Sequence, residues 1–376
     1  MDFAGRQERL AQAMADARLD AFLVSHMANV RYLCGFTGSS GALAVGRTKE
    51  ALRAAFFTDG RYTQQAKEQV KGAEVAIAQG PALTEAMAWL RKQRVKRIGF
   101  EGLHMSVAVR EALAPSGEVK MVATRELVEK LRMVKEPGEV AAIRAAVMLA
   151  SSVFETVLQS IKPEVPESRV AAELEYMCRR LGAEGMSFAT LVSAGTRSAL
   201  PHGVASSAPI PAKGFVILDF GVILGGYCSD MTRTVHVGAI DRKSRRMYEA
   251  VREAQRAGVE AVRAGVMPSE VDRAARKVLE KAGLGKYFTH STGHGVGLEI
   301  HEPPGLRKAA KRKAGRRKTG SPGSPKEMPL EAGMVITIEP GAYVPGVGGV
   351  RIEDMVLVTA TGCEVLTPTT KELILL

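Results

Sequence analysis

Along the chain, hydrophobic positions fall into short apolar runs separated by stretches with helical spacing. Runs at 21–24, 41–45, 54–58, 74–78, 97–100 and 119–123 predict strands, whereas 8–18, 62–70 and 83–93 place apolar residues three and four apart, as helices do. Strands alternating with helices predict an α/β layer. A second pattern begins at Lys135-Glu136-Pro137-Gly138-Glu139, where a proline followed by an acid suits a first helical turn ahead of Val140, Ile143, Val147 and Val153. Two further helices are expected at 168–181, stopped by Gly182, and at 269–281, opened by Ser269. Both read as core-packing elements with no chemistry assigned to them. The stretches 215–237 and 334–359 are β-rich and broken by glycines that suit hairpins. The fold class expected is therefore α+β, with an N-terminal α/β domain over residues 1–128 and a second domain over 129–376.

Composition narrows the setting. With 376 residues, 46% of them hydrophobic, the chain can fill two cores. No apolar run approaches the roughly eighteen residues of a membrane span, and residues 1–24 lack the basic head, apolar centre and cleavage site of a signal peptide. A cytoplasmic protein with no membrane partner is expected. Cys34, Cys178, Cys228 and Cys363 form no CxxC pair and read as reduced thiols. The net charge of +12 would suggest an acidic partner, but eight basic residues and no acid lie within 307–318. The rest of the chain is mildly basic, so nucleic acid is an unlikely partner.

The chemistry lies in the β-rich stretches. Asp219 interrupts the apolar run Val216-Ile217-Leu218, and Asp230 follows eleven residues later, with Gly225 and Gly226 between them as a hairpin turn. Glu339 ends the run Val335-Ile336-Thr337-Ile338, and Glu353 follows Gly349-Val350-Arg351-Ile352. A short echo links Ser229-Asp230-Met231 with Glu353-Asp354-Met355. One acid in an apolar strand is commonly a satisfied structural residue. Four are harder to explain, because burying an unpaired carboxylate costs several kcal/mol, and bound cations are the simplest compensation. The segment from Phe288 to Pro304 adds His290, His294 and His301 among glycines. Its Gly293, Gly295 and Gly297 lack the spacing of a dinucleotide-binding loop. One imidazole with four carboxylates is a hard, oxygen-rich set, suited to Mn²⁺, Co²⁺, Fe²⁺ or Zn²⁺. Four negative charges balance two divalent ions.

These motifs resemble those of the pita-bread metallopeptidases, which include methionine aminopeptidase, Xaa-Pro aminopeptidase, prolidase and creatinase. Asn29-Val30-Arg31-Tyr32-Leu33, Gly35-Phe36-Thr37-Gly38 and Phe57-Thr58-Asp59-Gly60-Arg61-Tyr62 extend the likeness to the N-terminal domain of Xaa-Pro peptidases and creatinase. The resemblance implies a creatinase-like N-terminal domain followed by a pita-bread catalytic domain holding two divalent metal ions, Mn²⁺ first among them. Asp219 and Asp230 would bind one ion, His294 and Glu339 the other, with Asp230 and Glu353 bridging. His202 and His301, with Glu339, would serve catalysis, and His290 and Arg351 would line the substrate site. All five ligand positions are intact, which favours peptides over creatine.

The implied activity is hydrolysis between an N-terminal residue and proline, with short peptides carrying proline second as partners and a homodimer as the assembly. Xaa-Pro aminopeptidase is the first reading and prolidase the nearest alternative. A non-catalytic binding protein that uses its basic segment for anionic partners is a third, disfavoured by the intact ligands. Residues 306–326 depart from the family pattern and read as a flexible basic insertion. Because the basic run starts six residues after His301, it is expected to overhang the cleft and attract peptide carboxylates.

Overall fold

The computed structural model describes residues 1–47, 51–114, 119–309 and 327–376. Most of the expected basic insertion, 306–326, lies outside the described residues. The chain divides into two units, Met1–Arg132 and Met133–Leu376.

In the first unit, six strands hydrogen-bond in the order Glu74–Ile77, Leu52–Thr58, Ala42–Arg47, Ala21–Val24, Arg97–Glu101, Lys120–Thr124. The sheet is mixed: Ala21–Val24 pairs antiparallel with Ala42–Arg47 and parallel with Arg97–Glu101. Its central strand is wholly buried, which explains the unbroken apolar run at 21–24. Helices Phe3–Asp16, Thr63–Gln69 and Ala82–Lys92 form where the spacing predicted them. Helices Met27–Cys34 and Val107–Leu113 were not predicted.

The second unit opens on helix Pro137–Val157, with Pro137 in its first turn and Glu136 and Glu139 forming a reciprocal cap. This helix, continued to Ser160, is long and apolar enough by length and composition to cross a membrane, although Arg144 and Glu155 interrupt its apolar residues. Its Ile143, Val147, Val153 and Phe154 are buried in the unit's own core, and its Glu139 accepts a hydrogen bond from the Tyr227 hydroxyl. Helix Glu167–Arg180 lies where expected, and Gly182 beyond it takes a left-handed φ of 101°. Helix Pro268–Lys281 begins on its proline, so Ser269 lies inside the first turn instead of capping it. These helices pack beside two antiparallel sheet systems. One holds Leu191–Ala194, Gly214–Phe220 and Met231–Val237; the other centres on Gly293–Gly295, Val335–Ile338 and Asp354–Val358. All seven residues of Met231–Val237 are buried, so neither face of that strand meets water. A carboxylate at its entrance must find its partners inside the protein.

Candidate metal centre

Two antiparallel pairings bring the acids together. Gly225 and Gly226 both adopt positive φ, 58° and 77°, as a two-residue hairpin turn requires. Strand Gly214–Phe220 then runs against Met231–Val237 with Thr232 opposite Asp219, and Asp230 immediately precedes the second strand. Gly221 admits no side chain here, since a Cβ would lie 1.8 Å from the Ser229 carbonyl oxygen. In the other pairing Ile338 is opposite Asp354, so Glu339 and Glu353 sit one residue beyond the paired segment, at the same level. Gly295 pairs with Ile336, which carries His294 to the same end.

Asp230, His294 and Glu353 offer ligand atoms that all lie within 4.8 Å of one another. His294 Nε2 is 3.4 Å from Asp230 and 3.5 Å from Glu339. Its Nδ1 lies 3.0 Å from the Gly295 carbonyl, which can only accept. Nδ1 therefore carries a proton, and Nε2 is the atom turned toward the acids, the tautomer a metal-binding histidine uses. Glu353 Oε2 accepts from the Thr232 hydroxyl at 2.7 Å, while Oε1 is buried without a hydrogen-bond partner among the described residues.

The electrostatics follow from burial. Loss of solvation pushes Asp230 up to about 6 and Glu339 up to about 7, and holds Glu353 well above the ordinary carboxylate range. Burial would lower His294, but its hydrogen bond to Asp230 and the nearby Glu339 raise it to about 9. A proton on the His294 imidazole thus offsets only part of the acids' charge, and all three carboxyls stay raised. The donor set suits divalent cations: hard oxygens, one imidazole with Nε2 turned to the acids, and a buried carboxylate oxygen without a hydrogen-bond partner among the described residues.

Asp219 lies outside that compact group. Its carboxylate is bonded by the guanidinium of Arg351, which also donates to the Tyr343 hydroxyl, to Thr232 Oγ1 and to the Pro201 carbonyl. Arg351 thereby anchors the turn carrying His202, which is itself exposed. His290 Nδ1 is 2.8 Å from the Ser291 carbonyl and so donates to it, leaving Nε2 to accept from the Tyr343 hydroxyl at 2.9 Å. This fits burial holding His290 down to about 4 and pushing Tyr343 up to about 12. His290 is also 3.9 Å from Glu339. The ring of His301, an exposed residue, packs against that of His294 at 4.3 Å between centroids.

Sequence reasoning missed Tyr343 and Thr232. Both are polar groups inside apolar strands, two residues after Asp230 and four after Glu339 respectively for Thr232 and Tyr343, and only the strand pairing shows that they serve the acids' neighbours.

The chain matches "Metallopeptidase family M24" over residues 141–360 and "Creatinase/Prolidase N-terminal domain" over residues 6–134. It is 35% identical over 370 residues to an Xaa-Pro dipeptidase of Pyrococcus furiosus, covering 98% of this chain and 99% of that one. The solved structure of an Xaa-Pro dipeptidase from Bacillus anthracis superposes with a TM-score of 0.91 at 39% identity, over the full length of both chains. That of an X-Pro aminopeptidase from Thermotoga maritima gives 0.84 at 31% identity, covering 97% of this chain and 100% of the other.

Proposed function

Because the chain belongs to metallopeptidase family M24 and is a hydrolase with the two-domain architecture of the prolidases, we propose that it cleaves Xaa-Pro dipeptides between the N-terminal residue and proline. The sequence alone put an Xaa-Pro aminopeptidase first. The relatives named Xaa-Pro dipeptidase, at 35% and 39% identity, move the proposal to the dipeptide, and the 31% identical X-Pro aminopeptidase keeps longer Xaa-Pro peptides as the second reading. The observation that carries the hydrolytic reading is the group of Asp230, His294 and Glu353, with a buried carboxylate oxygen that has no hydrogen-bond partner among the described residues.

In this reading Asp219, Asp230, His294, Glu339 and Glu353 would hold two divalent ions, with Mn²⁺ as the first candidate and Co²⁺, Zn²⁺ or Fe²⁺ as alternatives. When bound, such a pair lowers the pKa of water toward neutrality and polarises the substrate carbonyl. The chain's own residues supply the rest. Glu339 takes a proton from the attacking water at its carboxylate, His202 or His301 donates to the oxyanion that develops on the scissile carbonyl, and a proton passes to the proline nitrogen as the C–N bond breaks. Arg351 and His290 line the substrate side, and Tyr343 holds their relative positions through the hydrogen bonds it shares with both. The four cysteines are free and three of them are buried, which supports a reducing, cytoplasmic setting. A homodimer is the proposed assembly.

The test is release of free amino acid from an Xaa-Pro dipeptide and an Xaa-Pro-Yaa tripeptide, using chelator-treated protein with and without Mn²⁺, Co²⁺ or Zn²⁺. Metal-dependent cleavage of the dipeptide alone is expected. Cleavage of both moves the assignment to the aminopeptidase, and cleavage of neither by metal-loaded protein overturns the peptidase reading.

A further inference from the structure

Behind the metal centre, helix Pro268–Lys281 carries a charged pair that the proposed chemistry does not use. Arg276 grips Asp272, one turn earlier, through Nε and a terminal nitrogen at 3.0 and 2.8 Å. Asp272 and Arg276 are 1% and 6% exposed. A buried ion pair is poor evidence for added stability, since desolvation offsets much of the attraction. Its remaining contacts suggest another use.

Among the described residues, the other side-chain hydrogen bonds of this pair all reach the segment that bears the site histidines. Arg276 donates to the carbonyls of Phe288 and His290 at 3.0 and 2.9 Å, and its guanidinium lies 4.0 Å from the centre of the Phe288 ring. Asp272 accepts from the hydroxyl of Thr292 at 2.9 Å, and the carbonyl of Thr292 accepts from the backbone N–H of Glu339 at 2.7 Å. One ion pair thus fixes the backbone of His290 directly and that of Glu339 through Thr292. The two side chains it holds face each other across 3.9 Å.

We propose that Asp272, Arg276 and Thr292 form a positioning clamp that sets Glu339 and His290 at their working separation in the metal centre. Thr292 acts on the metal side through Glu339, and Arg276 acts on the substrate side through His290. The clamp rests on the metal-centre reading above. It requires the planar, forked donor of an arginine, because four acceptor atoms in different directions are served by one guanidinium.

The experiment uses two variants of the full-length protein, Thr292→Val and Arg276→Lys, each conservative in shape or charge. Calorimetric titration of the chelated protein with Mn²⁺ should give Thr292→Val an affinity weaker by up to about 10-fold, the low end for losing an outer partner of a ligand, because the Thr292 carbonyl that holds Glu339 is kept but no longer clamped. Excess Mn²⁺ should restore its kcat. At saturating Mn²⁺, Arg276→Lys should raise KM for an Xaa-Pro dipeptide more than it lowers kcat. Wild-type Mn²⁺ affinity in Thr292→Val together with an unchanged KM in Arg276→Lys, whatever happens to Tm, would reduce the clamp to a packing feature. Should Arg276→Lys fail to fold, the Mn²⁺ titration of Thr292→Val decides alone. The titration does not depend on turnover, so a wild type that binds Mn²⁺ but leaves Xaa-Pro peptides intact would sink the peptidase reading and leave the clamp standing.

Discussion

Glu101 in the N-terminal unit and Glu353 in the C-terminal unit are both buried at strand ends, 4% and 2% exposed. Glu101 is saturated with donors: the backbone N–H groups of Ser25 and His26, the Ser25 hydroxyl and the Asn29 amide all lie within 2.7–2.9 Å. Its neighbour Glu129 accepts from the same amide and from His104, and Arg132 donates to the other side of Asn29. Glu353 has one hydroxyl and an oxygen with no partner among the described residues, and shares its space with Asp230, Glu339 and His294. Burial of acids is thus common to both clusters, and the unmet demand for positive charge belongs to one. That shortfall, more than the count of carboxylates, marks a cation site.

The comparison can be broken first at Glu353. Glu353→Gln should lower kcat/KM by more than about 100-fold, the upper range for residues that only orient a ligand, and reduce bound Mn²⁺ measured by elemental analysis. A variant with full metal content and activity would place the centre elsewhere.

Metal removal sharpens the contrast next. Without cations, Asp230 and Glu339 titrate near 6 and 7, above the roughly 4 of an unfolded carboxyl, so their contribution to stability is lost as pH rises from about 4 to 7. His294, raised to about 9, contributes stability below about 6.5 that is lost as pH climbs through 9. All three signs agree. Chelation should therefore lower Tm, added Mn²⁺ should restore it, and the gap between loaded and chelated protein should widen from pH 5 to pH 8. A gap that stays constant with pH would contradict the protonated, metal-free cluster.

The smallest effect belongs to the saturated cluster. Glu101→Gln should cost about 1–3 kcal/mol by mismatching buried donors, visible as a lower Tm, with Mn²⁺ stoichiometry and kcat/KM unchanged. Loss of metal in this variant would erase the distinction between the two clusters.

The echo between 229–231 and 353–355 shows where the sequence stops being legible. It sets Asp230 beside Asp354, yet Asp354 is a structural acid, held by Arg233, Gln255 and Lys371. The adjacent Glu353 reaches the centre because strand pairing begins at Asp354 and leaves Glu353 just outside it. The helix at 269–281 illustrates the same limit. Its apolar stripe of Val271, Ala275 and Leu279 was readable as core packing, whereas the reach of Asp272 and Arg276 to Thr292 and His290 was not.

Local pattern determined the strands of the first sheet, the turn at Gly225 and Gly226, the proline-led long helix and the presence of acids in apolar surroundings, because periodicity and φ preference are properties of neighbouring residues. Tertiary structure alone decided which acids converge, which of them find donors, and which oxygen is left without one. Those outcomes depend on partners more than a hundred residues away, as Thr232 is from Glu353 and Asp219 from Arg351, and on the solvent that folding removes from between them.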